Sequence, residues 1–175
     1  MTLPNLFSVS RIFLLIPIII FFENDLFLFS VITFIFASIT DFLDGYFARK
    51  IGLTSDLGAF LDLLADKIFV ATLLIWMTFN FNSLIILISS ILIISREISI
   101  SYLRLYVVSS SKNTDKVKSD LLGKYKTTFQ MAGLGFVLIS PITSDLVFNI
   151  SLTLLFISAV ISWYSFFKYS NKWIV

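Results

Sequence analysis

The sequence predicts an all-α, polytopic membrane protein with six transmembrane helices, and three observations support this fold class. Of the 175 residues, 58% are hydrophobic and only 14% are charged, whereas a soluble domain has a charged fraction of roughly a quarter. The apolar residues are gathered in six long runs, and the basic residues lie at alternate ends of those runs. Together these features predict a chain embedded in lipid.

Each of the six apolar runs is long enough to cross a bilayer, which requires about 20 predominantly apolar residues. They cover roughly residues 5–22, 26–49, 56–79, 83–109, 124–141 and 146–169. The first run contains Arg11 and Pro17 and has no small-residue cleavage site after it, so we interpret it as a retained helix. The "GLG" stretch at 133–135 predicts close helix packing. The chain contains no internal repeat and no long segment of different amino-acid composition, so a single domain over 1–175 is expected.

The distribution of lysine and arginine predicts the topology. The connections "ENDL", "NFNS" and "PITSD" contain neither residue. The basic residues lie in the other connections and near the C-terminus: Arg49, Lys50, Lys112, Lys116, Lys118, Lys168 and Lys172. The positive-inside rule therefore predicts a multi-pass protein of the cytoplasmic (inner) membrane with both termini in the cytoplasm.

The absence of two residue types narrows the chemistry. The chain has no cysteine, which excludes disulfides and thiolate metal sites, and no histidine, the commonest general base. Catalysis must therefore depend on carboxylates, amines, hydroxyls or a bound cation.

The stretch "TDFLDGYFARKIGLTSDLGAFLDLLADK" places acids near the ends of two apolar helices. Asp41 and Asp44 share one face of the second helix, and Asp62 and Asp66 share one face of the third. Because the two helices run antiparallel, each acid of one pair lies at about the depth of an acid of the other pair. We therefore expect four carboxylates to converge in the cytoplasmic half of the membrane.

Two explanations of this acidic group are available. Ion pairs with Arg49 and Lys67 would make it structural, but two cations do not neutralise four facing acids, and unpaired carboxylates at this depth repel one another. A divalent cation removes the repulsion, and an all-oxygen ligand set favours Mg²⁺ or Mn²⁺ over zinc. The spacing leaves open whether one or two ions bind.

Small residues lie on the same helix faces as the acids. Gly45, Ala48 and Gly58 leave space where larger side chains would close the cleft, although plain helix packing also explains them. Arg49 lies beside the cleft and is suited to bind a phosphate through two hydrogen bonds. Acids, a metal, a gap and an arginine together suggest a diphosphate substrate.

The acidic, small and basic residues from Asp41 to Asp66 have the same spacing, without a gap, as the signature of the CDP-alcohol phosphatidyltransferase family. The stretch therefore resembles that family. The resemblance implies a six-helix enzyme that uses Mg²⁺ or Mn²⁺ and displaces CMP from a CDP-linked lipid with an alcohol. It implies four metal ligands, Asp41, Asp44, Asp62 and Asp66, with Asp66 also the catalytic base. It implies that the CDP moiety is bordered by Asp41, Asp44, Gly45, Ala48, Arg49 and Gly58. Leu63 departs from the proline that many members have at this position.

Charged residues in the fourth and fifth runs bear on the acceptor alcohol. Arg96 and Arg104 are eight residues apart in "SREISISYLRLY", and Lys124 and Lys126 open the fifth helix in "GKYKTTFQM". A structural interpretation stays open, with Arg96 paired to Glu97, Arg104 reaching the interface and the lysines setting topology. A cationic pocket at the cytoplasmic face would instead suit an acceptor that carries a phosphate.

The segments "SREISISYLR" and "GKYKTTFQM" also resemble the branch of the family that uses glycerol 3-phosphate. This resemblance implies that CDP-diacylglycerol and glycerol 3-phosphate give phosphatidylglycerophosphate and CMP. It makes the acceptor-phosphate candidates Arg96, Arg104, Lys124 and Lys126, although Leu105 departs from an acid often found in that branch. Arg11 and Asn5 are further candidates for contact with the diphosphate.

Other functions are also compatible with parts of this sequence. Serine or inositol phosphate would serve as acceptor in the same chemistry, and acids in a membrane cleft also mark ion pathways, as in a divalent-cation transporter. A structural scaffold would tolerate replacement of all four aspartates. A homodimer is expected from the family resemblance alone, and no nucleic-acid partner is expected.

Overall fold

The six apolar runs correspond to six α-helices in a computed structural model, which describes residues 3–51, 56–110 and 121–174. Side chains are described for these ranges except at 3–9, 41–51, 56–57, 59, 108, 110, 121–122, 124 and 172–174. In chain order the helices are α1 (Leu3–Glu23), α2 (Phe27–Ile51), α3 (Asp56–Phe81), α4 (Leu84–Ser110), α5 (Leu121–Ile139) and α6 (Asp145–Ile174). The predicted all-α fold and the six-helix order are confirmed.

Tight connections join the helices at the end opposite the acidic stretch. Asp25, between α1 and α2, has φ 59°, and Asn82, between α3 and α4, has φ 45°. Asp and Asn tolerate this left-handed conformation better than most residues, so each can reverse the chain within two or three residues. A short 3-10 turn, Ser140–Ile142, with a proline in its first turn separates α5 from α6. These short connections keep sequence neighbours antiparallel.

The helices pack around one apolar core. α1 contacts α2 and α3, α4 contacts α3 and α6, and α5 contacts α2 and α6. Ile18, Leu73, Leu134 and Leu155 are fully buried at these contacts. Polar groups on these helices are therefore positioned by helix packing rather than by loops.

The contact between α5 and α6 depends on a glycine. A Cβ added at Gly133 would lie 2.9 Å from Cγ of Leu155 and 3.2 Å from its backbone nitrogen. Only a residue without a side chain allows this approach, so the predicted close packing at the "GLG" stretch is confirmed for Gly133.

The outward faces of the helices are strongly apolar. Phe13 is 65% exposed, Phe79 81% and Ile98 65%, with many other large apolar side chains exposed beside them. Among the described residues, two helical segments, Leu84–Val107 and Asp145–Asn171, are long and apolar enough to cross a membrane. An apolar exterior of this extent is suited to lipid rather than to water.

Candidate active site

An arginine from α1 contacts two of the predicted aspartates on α3. Arg11 Nη1 pairs with Asp66 Oδ1, and Arg11 Nη2 lies 3.6 Å from Asp62 Oδ1. Asp62 and Asp66 are four residues apart, so they occupy one face of α3 and a single guanidinium reaches both. We call Arg11, Asp62 and Asp66 the acidic cluster.

The members of the acidic cluster differ sharply in burial. Arg11 is only 1% exposed, whereas the side chains of Asp62 and Asp66 remain 43% and 48% exposed. The carboxylates are therefore held from the protein side by a buried cation and are open on the other side. That open side could accept a ligand.

The structure shows a counter-cation that the sequence pattern did not indicate. The ammonium of Lys67, one of the two ion-pair partners considered for the acids, donates a hydrogen bond to Ser101 Oγ on α4. Arg11 lies far away in sequence and reaches Asp62 and Asp66 because α1 packs against α3. Arg49, the other candidate partner, has a side chain outside the described residues.

The predicted metal site also includes residues of α2. The side chains of Asp41, Asp44, Gly45, Ala48 and Arg49 lie outside the described residues, although α2 itself extends to Ile51. Among the side chains that are described, no three acidic, histidine or cysteine residues form a group able to hold a metal. The four-aspartate site therefore stays a prediction, with Asp62 and Asp66 adjacent on α3. Their oxygen-only donor set suits Mg²⁺ or Mn²⁺.

A second polar group joins three helices around Glu97 of α4. Lys126, from α5, donates a hydrogen bond to Glu97 Oε1, and Arg96 Nη1 donates to the same oxygen at 3.0 Å. Arg96 is 4% exposed and Lys126 8%. One carboxylate oxygen thus orients two buried cations that the sequence separates by 30 residues.

Backbone contacts with α6 fix the same group. Arg96 Nε donates to the carbonyl of Ser162 at 3.0 Å, and Ser158 Oγ donates to the carbonyl of Lys126 at 3.0 Å. Trp163 Nε1 donates to the carbonyl of Leu92 on α4, also at 3.0 Å. Buried hydrogen bonds between apolar helices restrict sliding, so α6 holds the two cations in register.

Two further cations, Lys67 and Arg104, lie near this group. Lys67 interacts electrostatically with Glu97, Arg96 and Arg104, and Arg104 also interacts with Lys126. We call Lys67, Arg96, Arg104, Lys126 and Glu97 the basic cluster. The basic cluster contains four positive side chains and one carboxylate, which leaves a surplus of positive charge.

Some buried donors at this cluster lack a protein partner. Within the described part of the chain, Arg104 Nε and the hydroxyl of Ser162, whose carbonyl accepts from Arg96, are buried and make no hydrogen bond. Buried polar atoms are normally hydrogen-bonded, so an anionic or hydroxylated ligand would satisfy them.

The two clusters meet on α3 at consecutive residues. Asp66 belongs to the acidic cluster and Lys67 to the basic cluster. Neighbouring residues on a helix point about 100° apart, so α3 directs one charge towards α1 and the other towards α4. One rigid helix therefore fixes the separation of the two clusters.

The structure thus brings together part of the predicted acceptor group. Arg96, Arg104 and Lys126 lie in one cluster, while the side chain of Lys124 is outside the described residues. The pairing of Arg96 with Glu97, given above as the structural interpretation, is present, whereas sequence reasoning did not include Lys67 in this group. The only signal for Lys67 was its 100° offset from Asp66, which shows that it faces elsewhere but not what it faces.

The family model for CDP-alcohol phosphatidyltransferase matches residues 1–166. The chain therefore belongs to this membrane-embedded family of phosphatidyltransferases, which use a divalent metal, and the resemblance found in the sequence is confirmed.

Individual relatives are similar over most of the chain. A protein of Sodalis glossinidius named CDP-diacylglycerol–glycerol-3-phosphate 3-phosphatidyltransferase is 38% identical over 136 residues, 78% of this chain and 73% of its own length. A protein with the same name from Wigglesworthia glossinidia brevipalpis is 37% identical over 174 residues, 97% of this chain and 93% of its own length. CDP-diacylglycerol–glycerol-3-phosphate 3-phosphatidyltransferase 2 of Arabidopsis thaliana is 40% identical over 149 residues, 79% and 64% of the two chains.

Proposed function

We propose that the protein is a phosphatidylglycerophosphate synthase, which transfers the phosphatidyl group of CDP-diacylglycerol to glycerol 3-phosphate and releases CMP. The names of the relatives support this reaction. The observation that carries it is the adjacency of the two clusters through Asp66 and Lys67. One cluster is suited to a metal and a diphosphate, and the other is suited to an acceptor that has its own phosphate.

The charge of the basic cluster favours glycerol 3-phosphate over a neutral alcohol. Arg96 and Lys126 are buried and already oriented by Glu97, so they need little reorganisation to bind a phosphate. The unpaired donor of Arg104 adds a further hydrogen bond to an anion. Lys67 joins them from α3, and we include it among the acceptor-phosphate residues with Lys124.

The acidic side is proposed to hold the nucleotide diphosphate. Asp41, Asp44, Asp62 and Asp66 would ligate Mg²⁺ or Mn²⁺, which would offset the charge on the diphosphate and on the departing CMP. Gly45, Ala48, Arg49 and Gly58 would border the CDP moiety, together with Asp41 and Asp44. The half-exposed carboxylates of Asp62 and Asp66 support an open binding surface on α3.

In this reaction a hydroxyl oxygen of glycerol 3-phosphate forms a bond to the phosphorus that carries diacylglycerol. The bond from that phosphorus to CMP breaks, and Asp66 accepts the proton of the hydroxyl. Lys67, next to Asp66, would hold the acceptor phosphate at a fixed distance from this base. The exposed apolar faces would leave the acyl chains in lipid.

The membrane arrangement is part of the proposal. All six helices would span the bilayer, with both termini, the α2–α3 connection and the α4–α5 connection in the cytoplasm. Both clusters would then lie on the cytoplasmic side, where water-soluble glycerol 3-phosphate has access. The homodimer expected from the family resemblance stays a prediction.

The test is CMP release from CDP-diacylglycerol by the purified protein, with and without Mg²⁺ or Mn²⁺. Glycerol 3-phosphate should support release, and glycerol, which differs only in lacking the phosphate, is the matched control acceptor. Faster turnover with serine or inositol phosphate would replace the acceptor assignment. Metal uptake into vesicles without any CMP release would favour a transporter.

A further inference from the structure

Ser162 of α6 has a buried hydroxyl that its own helix does not satisfy. The residue is 1% exposed, and its Oγ makes no hydrogen bond to any described residue. A serine within a helix commonly donates to the carbonyl three or four residues earlier, as Ser99 and Ser101 do on α4. A buried hydroxyl without a partner is costly. Ser162 Oγ is therefore available to a ligand.

The face of α6 that contains Ser162 is directed towards the basic cluster. Ser158, one turn earlier, donates from Oγ to the carbonyl of Lys126 at 3.0 Å, and the carbonyl of Ser162 itself accepts from Arg96 Nε at 3.0 Å. Tyr169, two turns later, interacts electrostatically with Arg96. Residues four and seven apart share one helix face, so the hydroxyl of Ser162 lies beside the cations proposed to bind the acceptor phosphate.

A serine hydroxyl differs chemically from the cations that surround it. Lysine and arginine side chains only donate hydrogen bonds, which suits phosphate oxygens, whereas a hydroxyl both donates and accepts. Glu97 Oε1 already accepts hydrogen bonds from Arg96 and Lys126. Ser162 Oγ is therefore suited to a neutral hydroxyl of the ligand, and the cations are suited to its phosphate.

We propose that Ser162 binds the secondary hydroxyl of glycerol 3-phosphate and is a specificity-determining residue for the acceptor; this inference depends on the proposed function. The secondary hydroxyl lies on the carbon next to the one that carries the phosphate. It therefore stays close to Arg96 and Lys126 when they hold the phosphate, and the terminal hydroxyl, one carbon further, is left to react near Asp66. Ser162 thus distinguishes a glycerol phosphate from an acceptor that lacks the middle hydroxyl.

The test compares two acceptors that differ only in this group. 3-Hydroxypropyl phosphate retains the phosphate and the reactive hydroxyl of glycerol 3-phosphate but has no secondary hydroxyl. The measurement is kcat/KM for CMP release by the purified full-length protein with each acceptor, at saturating CDP-diacylglycerol and Mg²⁺. The wild-type protein should prefer glycerol 3-phosphate by about 5- to 100-fold, because the analogue leaves Ser162 Oγ unpaired. In Ser162→Ala the preference should fall to about twofold or less, because the partner of the secondary hydroxyl is gone.

Ser89→Ala is the matched control variant. Ser89 is also fully buried, and its Oγ also makes no hydrogen bond to a described residue, but it lies on α4 about 10 Å along the helix from Arg96. This variant should retain the wild-type preference. A loss of folded protein lowers kcat/KM equally with both acceptors and cancels in their ratio. An equal reduction with the two acceptors in Ser162→Ala would therefore show that Ser162 only packs against α4, and would overturn the proposal.

The wild-type preference can be measured without any variant. Equal use of the two acceptors by the wild-type protein would overturn the proposal, since a buried water would then satisfy Ser162 with either acceptor. Phosphatidyl transfer to glycerol 3-phosphate would stand in that case. If the wild-type protein released CMP with serine or inositol phosphate but with neither of these two acceptors, the proposed function would fail and the role of Ser162 with it.

Discussion

The acidic and basic clusters have opposite net charge but a similar arrangement of ion pairs. In the acidic cluster one buried arginine faces two half-exposed carboxylates, and in the basic cluster one carboxylate orients two buried cations and interacts with a third. In each, a single side chain of opposite sign holds several like charges in place. This arrangement leaves a surplus of charge for a ligand while avoiding unpaired buried ions.

The difference between the clusters lies in what stabilises them. The basic cluster is fixed by hydrogen bonds from α4 to α6 and from α6 to α5. The acidic cluster, in the described residues, is held by ion pairs between α1 and α3. We therefore expect the basic cluster to be preorganised and the acidic cluster to rearrange when its ligand binds.

The largest expected effect separates the base from the metal ligands. Asp66→Asn should lower kcat by about 10²–10⁴-fold, because the acceptor hydroxyl loses its proton acceptor. CDP-diacylglycerol should still bind in the presence of Mg²⁺. Steady-state kinetics and a separate substrate-binding assay measure the two quantities.

Asp62→Asn is the matched control for Asp66→Asn, since both residues contact Arg11. It should lower metal affinity and recover part of its activity in excess Mn²⁺. If excess Mn²⁺ rescues Asp66→Asn equally well, Asp66 is only a ligand and another group is the base.

The next largest effect tests the basic cluster. Lys126→Ala or Arg96→Ala should raise the KM for glycerol 3-phosphate by about 10- to 100-fold, since a charge-assisted phosphate contact is lost. The KM for CDP-diacylglycerol should change much less. Lys168→Ala, which removes an exposed lysine of α6, is the control for overall charge. Parallel changes in both KM values would remove the distinction between the clusters.

A smaller effect is expected at the junction between the clusters. Lys67→Gln should raise the KM for glycerol 3-phosphate by up to about tenfold, because Lys67 is less buried than Lys126 and its charge is better screened. Lys67→Arg should restore most of the loss because it retains the positive charge. If Lys67→Gln instead weakens Mn²⁺ binding and leaves this KM unchanged, Lys67 belongs functionally to the acidic cluster.

The smallest effect on activity concerns the packing that supports the basic cluster. Gly133→Ala should lower stability by about 1–3 kcal/mol, because the added methyl group meets Leu155. The affinity for glycerol 3-phosphate should weaken slightly, while Mn²⁺ affinity should not change.

Thermal unfolding in detergent measures the stability of Gly133→Ala. Gly123→Ala is the control in the same helix, because a Cβ there meets nothing within 4 Å. It should be neutral or stabilising by up to about 1 kcal/mol. Equal destabilisation by the two variants would mean that the contact between α5 and α6 does not depend on the absence of a side chain at Gly133.

Local patterns in the sequence were sufficient for the helices and for the family. Six apolar runs of membrane-spanning length predicted six helices within a few residues of their bounds, because helix formation in apolar segments depends on length and hydrophobicity. The spacing from Asp41 to Asp66 identified the family, because helical periodicity places residues three and four apart on one face. The charges of the fourth and fifth runs likewise indicated a cationic group.

The tertiary structure decided which charges pair with each other. Arg11 reaches Asp66 across 55 positions, Lys126 reaches Glu97 across 29, and Lys67 turns to Ser101 rather than to the neighbouring acids. Periodicity gives the face of a helix on which a side chain lies, but not which helix packs against that face. In this protein, that choice follows from non-local packing, such as that of α1 against α3 and of α3 against α4. Long charged side chains then pair with the partner that this packing brings within reach.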